Sequence, residues 1–480
     1  MAKLKILYST IVFAFISFLQ PALSFFLLPI YLKHFPVSEY GIYSLINTLT
    51  SFFGIIAAVR ISSAIYTYYY DFSNSDQKVN AYIGNILGFT LLSGAILAGV
   101  TYWFGNDLFM LIFSTKEISF APLGFYSVLT GIGLSIVLPY NILLRNKKEI
   151  LKFAFIQLFL VISTVILQVV YIIFLEQGVE GALFARMLAT TITAGIVLLI
   201  NARHITFRFK KIFIQQSLHF SIPFIPFSIV SWMALYGDRF VLEKYYSLDM
   251  VGVYSLLIAI CMLILMANEA LIGGVQPYLY DYYSQKNKGK QINLIYKYYI
   301  GAVLLVTSIV ILGGTNINII TDNSGFLRIV KYLPIAALVY FVSSYYNLFK
   351  AKLIYQKKSK LISGLYISTS IITFVLYFIL IPILSIWGAI LSNLIGFVMI
   401  SMTFFYFSHK DQVRSVNLAD ILFFPLIGCA IIIVCFLSAK FGYLSYLMSA
   451  WIQFVFVVII CSFHFKSEIK KLLGIIFISN

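Results

Sequence analysis

The chain has 480 residues, of which 61% are hydrophobic and only 11% are charged, and its mean hydropathy is +0.96. Soluble globular chains are about 45–50% apolar and about 25% charged, so this composition excludes a water-soluble domain. The net charge of +17 comes from short basic clusters set between long apolar runs, which indicates membrane topology and argues against a nucleic-acid partner.

Uncharged runs of about 17–25 residues, the length that crosses a bilayer as a helix, recur along the whole chain. They predict about fourteen spans, at 8–30, 40–65, 81–104, 119–142, 153–175, 180–200, 216–237, 251–273, 293–314, 329–349, 361–382, 386–407, 419–438 and 445–463. The longest predicted periplasmic connections are 105–118, 238–250 and 315–328. Only helices satisfy the backbone in so many consecutive spans, so the fold class is an all-α integral membrane protein.

Lysine and arginine alternate between the two sets of connections, and most of the 34 fall on one set. Cytoplasmic loops retain these residues, so that set is predicted to be cytoplasmic. Lys350 and Lys352 are counted there, in the connection that follows the tenth span. Both termini are therefore predicted to lie in the cytoplasm, with the chain in a bacterial inner membrane.

Short matches at nearly constant spacing indicate an internal repeat. The sequence Gly41-Ile42-Tyr43-Ser44-Leu45 opens the second span, and Gly252-Val253-Tyr254-Ser255-Leu256 opens the eighth. A repeat of six helices puts both copies in the membrane in the same sense, as in transporters whose halves alternate access. The predicted domains are a six-helix lobe at 1–205, a second at 206–410, and a two-helix hairpin with a cytoplasmic tail at 411–480.

Prolines occupy equivalent spans of the two copies: Pro21 and Pro29 lie in the first, Pro223 and Pro226 in the seventh. A proline inside a helix removes a backbone hydrogen bond and bends the helix. Bends at equivalent places suit gates, although proline is also common in membrane helices. Pro21 and Pro223 are therefore candidate gate residues.

Several of these segments together resemble a known family. The stretches Leu28-Pro29-Ile30-Tyr31-Leu32, Glu39-Tyr40-Gly41-Ile42-Tyr43, Asp238-Arg239-Phe240 after Pro223, and Val251-Gly252-Val253-Tyr254 look like those of Wzx-type polysaccharide repeat-unit flippases. That family transports O-antigen and capsule units and belongs to the multidrug/oligosaccharidyl-lipid/polysaccharide exporter superfamily. The resemblance covers most of the first eight helices and is weaker beyond them.

The resemblance implies a fourteen-helix protein that moves an undecaprenyl-diphosphate-linked oligosaccharide from the cytoplasmic to the periplasmic leaflet, as part of O-antigen or lipopolysaccharide biosynthesis. Its partners would be the lipid-linked oligosaccharide, membrane lipids, and the polymerase and chain-length proteins of the same pathway. A diphosphate cargo requires cations or helix N-termini that face a wet interior.

Arg60 and Arg186 are the two basic residues within predicted spans. Arg60 either faces a cavity or lies near the cytoplasmic mouth and extends to water. Arg186 lies about two turns below the periplasmic surface, and a structural ion pair with Glu180 is the favoured interpretation.

Glu269 falls near the repeat equivalent of Arg60. We predict that the two face each other, either as a proton or sodium site that alternately forms and releases the pair, or as a static ion pair. Asp238 and Arg239 end the seventh span at a gate or lobe contact, which the resemblance supports. Neighbouring helical residues point in different directions, so we expect each to bond to other helices rather than to its neighbour.

The sequence lacks a phosphate-binding P-loop and a metal-ligand cluster, and it predicts no cofactor, so the chain is interpreted as a secondary transporter rather than an enzyme. Coupling to H⁺ or Na⁺ is possible. A polysaccharide polymerase or ligase is the alternative of another class, but such enzymes are expected to carry a long periplasmic loop. A drug or cation exporter and a peptidoglycan-precursor flippase of the same superfamily are the closer alternatives.

Overall fold

The computed structural model describes residues 16, 23, 25–207, 209–285, 288–409, 426, 427, 430 and 443–464. The described residues contain no β-strand. Their sixteen α-helices are α1 (Leu28–His34), α2 (Val37–Ala58), α3 (Ser62–Phe72), α4 (Asp76–Ile112), α5 (Phe125–Asn146), α6 (Ile150–Val169), α7 (Gly178–Ile200), α8 (Lys211–Ser221), α9 (Phe224–Tyr245), α10 (Leu248–Tyr283), α11 (Gly289–Thr315), α12 (Ser324–Leu327), α13 (Leu333–Tyr355), α14 (Ser359–Leu384), α15 (Ile386–His409) and α16 (Tyr443–His464).

Within the described residues, nine helices are long and apolar enough to cross a membrane, or eleven if each of two bent helix pairs is one span. These eleven correspond to the second through twelfth predicted spans, which confirms the all-helical membrane fold. Most of the first and thirteenth predicted spans lies outside the described residues. Helix α16 coincides with the fourteenth span.

Several helices extend beyond the predicted spans, including at two connections predicted to be periplasmic. Helix α4 runs 37 residues to Ile112, well into the connection predicted at 105–118. Helix α9 continues to Tyr245 and α10 begins at Leu248, so the connection predicted at 238–250 is reduced to a tight turn. Hydropathy locates the bilayer core, but backbone hydrogen bonding carries a helix beyond it into the polar interface.

The chain divides into two compact units, residues 1–252 and 253–480. In the first, α5 packs against α2, α4 and α7, and α6 covers α7. In the second, α15 packs against α13 and α14, while α11 contacts α13 and α16. The first unit extends beyond the predicted lobe at 1–205, because α9 packs against α2: the Trp232 indole donates to the carbonyl of Thr48 at 3.1 Å.

The glycines that open the two copies of the repeat lie against each other. A Cβ added to Gly252 would lie 2.0 Å from the carbonyl oxygen of Val37, and one added to Gly41 would lie 2.5 Å from that of Leu248. Only residues without a side chain allow the starts of α2 and α10 to approach this closely. The repeated glycine therefore has a packing role.

We expect Gly252→Ala to lower the free energy of unfolding by about 1–3 kcal/mol, because the new methyl group meets backbone rather than a movable side chain. Gly99→Ala on α4 is the control, since nothing lies within 4 Å of its Cβ position. That substitution should be neutral or stabilising, by up to about 1 kcal/mol, through helix propensity. Thermal unfolding in detergent measures both, and equal stabilities would contradict the proposed contact.

Candidate functional site

The predicted second span is broken at Arg60. Helix α2 ends at Ala58, and α3 begins at Ser62. Two of the three residues between them, Val59 and Arg60, adopt left-handed conformations with φ of 47° and 54°. A β-branched residue in this conformation is strained, and such strain persists only where the surrounding structure imposes it. The break thus places an arginine beside the N-terminus of a helix, within an apolar segment.

Among the described residues, no acidic side chain forms a salt bridge with the Arg60 guanidinium. Its Nε atom is buried and has no hydrogen-bond partner within the part of the chain that the structure describes. The salt bridges found in that part join other residues. A helix N-terminus carries a partial positive charge and unpaired N–H groups, so α3 adds to the field of Arg60. Together they form a candidate anion site, which is the chemistry that a diphosphate requires.

The break between α2 and α3 can be tested without substituting Arg60. At position 59 a glycine should be more stable than an alanine by about 1 kcal/mol, because only glycine adopts a left-handed conformation without strain. At position 57, inside α2, alanine should be more stable than glycine, so Ala57→Gly should lower the free energy of unfolding by about 1 kcal/mol. Thermal unfolding of Val59→Ala, Val59→Gly and Ala57→Gly measures this. The same order at both positions would indicate a continuous helix.

Arg186 has a different partner from the predicted one. Its guanidinium donates to the side-chain oxygen of Asn47, and no ion pair joins it to Glu180. Glu180 lies one and a half turns earlier on α7 and interacts electrostatically with Tyr126 instead. The expected pair with Glu180 was therefore wrong: the arginine reaches across to α2 rather than along its own helix.

A buried hydrogen-bonded network, which sequence reasoning missed, lies beside Arg186. The Tyr31 hydroxyl donates to Gln168 Oε1 at 2.6 Å and lies 2.8 Å from the Tyr43 hydroxyl, and Gln168 Nε2 donates to the carbonyl of Ala182 at 3.1 Å. Arg186 interacts electrostatically with Tyr31. This network links α1, α2, α6 and α7, so Arg186 has structural contacts that Arg60 lacks.

Glu269 lies on α10, in the second unit, and its side chain is exposed. In the same unit, the Lys350 ammonium on α13 lies over the Tyr346 ring, 5.2 Å from its centroid. Lys350 is one turn inside α13 rather than in the connection predicted after residue 349. The predicted pairing of Glu269 with Arg60 in the other unit stays a prediction.

Asp238 and Arg239 bond to each other, contrary to the expectation from helix geometry. Arg239 Nη1 lies 3.2 Å from Asp238 Oδ1, and the Arg239 N–H donates to the same oxygen at 2.8 Å. The arginine side chain is long enough to fold back along α9, where it reaches the carbonyl of Leu235 and lies over the Tyr236 ring. Both residues are buried, at 2% and 5% exposure.

Pro223 lies between α8 and α9, which meet at an angle of 43°. The predicted bend in the seventh span is therefore present at the predicted proline. Pro21 lies outside the described residues.

Sequence reasoning also missed a contact of Glu243, whose carboxylate accepts backbone N–H bonds from Ser114 and Thr115, both at 2.9 Å. It ties the end of α9 to the segment that follows α4.

No group of three or more potential metal ligands occurs among the described residues. The described cysteine, Cys261, is buried and unpaired. The predicted charged site residues that form no salt bridge among the described residues include Arg60 in the first unit and Glu269 in the second.

No protein-family model and no curated protein match the sequence. Among solved structures, "Lipid II flippase MurJ, inward closed conformation" is 15% identical, with a TM-score of 0.67 over 96% of this chain and 100% of that chain. An inward-facing multidrug resistance MATE family transporter of the MOP superfamily is 15% identical, with a TM-score of 0.60 over 80% of this chain and 96% of that one. A MATE structure in complex with MaD3S is 14% identical, with a TM-score of 0.52 over 82% of this chain and 92% of that one.

The chain therefore has the fold of transporters and flippases of the MOP superfamily, the exporter superfamily that the sequence resembled. Proteins of this fold carry different cargoes, so the fold alone leaves the substrate open.

Proposed function

We propose that this protein is a flippase that translocates undecaprenyl-diphosphate-linked oligosaccharide repeat units from the cytoplasmic to the periplasmic leaflet of a bacterial inner membrane. The observation that carries the proposal is Arg60, which lies at a helix break within an apolar span and has no salt-bridge partner among the described residues. A fixed cation at the end of a helix favours an anionic headgroup and disfavours a cationic one.

The cargo chemistry separates the alternatives. A drug or cation exporter is expected to place carboxylates where a cation binds, whereas this chain places Arg60 and Arg186 in the first unit. A peptidoglycan-precursor flippase is a second candidate, because the fold is shared with the lipid II flippase MurJ. Both flippase cargoes carry a diphosphate, so an anion site at Arg60 does not distinguish them. A polymerase or ligase gains no support, since two of the three long connections predicted to be periplasmic, 105–118 and 238–250, are shorter than the sequence indicated.

Transport assays on the purified chain in liposomes test the proposal. Two probes are compared: fluorescent undecaprenyl diphosphate carrying N-acetylglucosamine, and a cationic dye. We expect the protein to move the glycolipid between leaflets and to leave the dye gradient unchanged. Dye export without glycolipid movement would overturn the proposal in favour of the exporter.

The energy source is part of the same proposal. Because the sequence has no P-loop, the energy for uphill transport of the cargo would not come from nucleotide bound in that manner. It would come from an H⁺ or Na⁺ gradient, from the membrane potential, or from removal of the product by the polymerase and chain-length proteins. The same liposomes, with an imposed pH gradient, Na⁺ gradient or potassium diffusion potential, distinguish these sources. A rate that none of them changes would leave mass action as the driving force.

A further inference from the structure

Aromatic side chains of α2 and α9 form a continuous surface in the first unit. The ring centroids of Phe52 and Trp232 are 4.8 Å apart, and Trp232 lies 5.6 Å from Phe240 and 6.2 Å from Tyr236. All four side chains are half-buried, so each ring packs against a neighbour and still presents part of its surface. We call these four residues the α2–α9 aromatic face.

The central ring of this face, Trp232, is held from both helices. Its indole N–H donates to the carbonyl of Thr48 at 3.1 Å, and Thr48 lies one turn before Phe52 on α2. One turn after Trp232 on α9, the Tyr236 ring is covered by the Arg239 guanidinium at 5.5 Å from the ring centroid. A ring with a fixed plane loses little conformational freedom when a ligand stacks on it, as a preorganised site requires.

A polar row runs along α2 beside the aromatic face. Asn47 and Ser51 are one helical turn apart and share a side of the helix, and Ser51 is exposed. Each precedes a residue of the neighbouring row, Thr48 or Phe52, by one position. The half-buried Arg186 on α7 donates to the side-chain oxygen of Asn47, so the Asn47 NH₂ group can donate to a ligand.

These polar groups indicate that the surface faces water rather than acyl chains. Arg186 is bonded to a neutral amide and forms no salt bridge among the described residues, and an ionised group directed into lipid is costly. Ser51 is exposed 14 residues after the start of α2, which is about 21 Å into the span at 1.5 Å per residue. A hydrated interior at this depth would satisfy both side chains.

The combination of rings and polar groups narrows the ligand. An aromatic ring has an electron-rich face, which suits the C–H groups on the flat side of a sugar ring, and sugar hydroxyls both donate and accept hydrogen bonds. A cationic ligand would also be attracted to the rings, but Arg186 and Arg239 beside them would repel it. A polyprenyl chain would leave the amide, hydroxyl and guanidinium groups without partners.

We propose that the α2–α9 aromatic face binds a sugar ring of the lipid-linked cargo, which stacks on Trp232 and forms hydrogen bonds with Asn47 and Ser51. Phe52 lies eight residues before Arg60, about 12 Å along the span at 1.5 Å per residue. A diphosphate held at Arg60 would therefore leave an attached oligosaccharide within reach of the rings. This assignment rests on the proposed function and adds the part of the cargo that the first unit recognises beyond the diphosphate.

The test compares binding of matched lipids to the full chain in nanodiscs. The probes are undecaprenyl diphosphate without a sugar and a panel of undecaprenyl diphosphate glycans that includes N-acetylglucosamine and lipid II. We expect wild-type protein to bind at least one glycan about tenfold more tightly than the bare carrier. Trp232→Leu and Phe52→Leu should each reduce that advantage to about threefold or less, because leucine keeps the apolar bulk but not the aromatic face. Trp232→Phe retains a ring and should retain most of the advantage.

Controls separate stacking from general damage to the protein. Trp103→Leu and Ser368→Ala, at exposed positions on α4 and α14, should keep the full glycan advantage, whereas Ser51→Ala should reduce it by about threefold. Arg60→Gln should weaken binding of the bare carrier and of the glycans by the same factor, since both carry the diphosphate. Thermal unfolding in parallel identifies any variant that fails to fold.

Three outcomes overturn the inference. Wild-type protein could bind every glycan no better than the bare carrier, or the preference could survive both Trp232→Leu and Phe52→Leu. Alternatively, these two variants could weaken binding of the bare carrier as much as that of the glycans, which would assign the aromatic face to the polyprenyl chain. Failure of the proposed function looks different, because neither the bare carrier nor any glycan would then bind to wild-type protein.

Discussion

Replacing Arg60 by glutamine is expected to reduce transport of a lipid-linked diphosphate by about 100-fold. The guanidinium makes charge-assisted, bidentate contacts with phosphate oxygens, and the loss of such contacts costs about 1.5–3 kcal/mol each. No other charged group in the described residues neutralises Arg60, so the variant should fold as well as the wild type. Flipping of fluorescent undecaprenyl diphosphate-N-acetylglucosamine in liposomes measures the effect, with thermal unfolding recorded in parallel.

Two further variants make this result specific to the arginine. Arg60→Lys keeps the charge but loses the planar, bidentate geometry, so an intermediate rate is expected. Arg203→Gln removes one positive charge from an exposed loop position, and its rate should match the wild type. Normal flipping by Arg60→Gln, at wild-type stability, would show that Arg60 only extends to water at the membrane surface, and the proposed anion site would then be wrong.

The sequence was sufficient to predict the membrane fold because a bilayer imposes a simple length rule on apolar runs. The second through twelfth spans were predicted on that basis, and each matches a described helix or bent pair. Proline chemistry also predicted the bend at Pro223, since the missing N–H acts locally. These features depend on residues close in sequence, which is why they could be predicted from it.

Features that depend on distant contacts were missed. No glycine or proline marks the break at Val59 and Arg60, whose left-handed conformations are imposed by the packing around them. Lys350 was counted as a loop residue because the predicted span ended one residue earlier, whereas the helix continues to Tyr355. The repeated glycines were recognised, but their contact follows only from the approach of α2 and α10.

Breaking the buried pair of Asp238 and Arg239 is expected to destabilise the protein by about 3–5 kcal/mol for either single variant, Asp238→Asn or Arg239→Gln. The cost arises because the remaining charge stays buried without its partner. The double variant leaves no isolated charge, so it should lose clearly less than the sum of the two single variants. Thermal or denaturant unfolding in detergent gives the coupling energy of this cycle.

The pair of Glu149 and Lys152 is a matched control for this cycle. Its atoms are closer, at 2.6 Å, but its side chains are 31% and 66% exposed. Exposed pairs contribute about 0–1 kcal/mol, so the cycle of Glu149→Gln and Lys152→Gln should show little coupling despite the shorter distance. Equal coupling in the two cycles would mean that burial does not strengthen the Asp238 and Arg239 contact. Strong coupling confined to Asp238 and Arg239 would instead show that burial strengthens their contact.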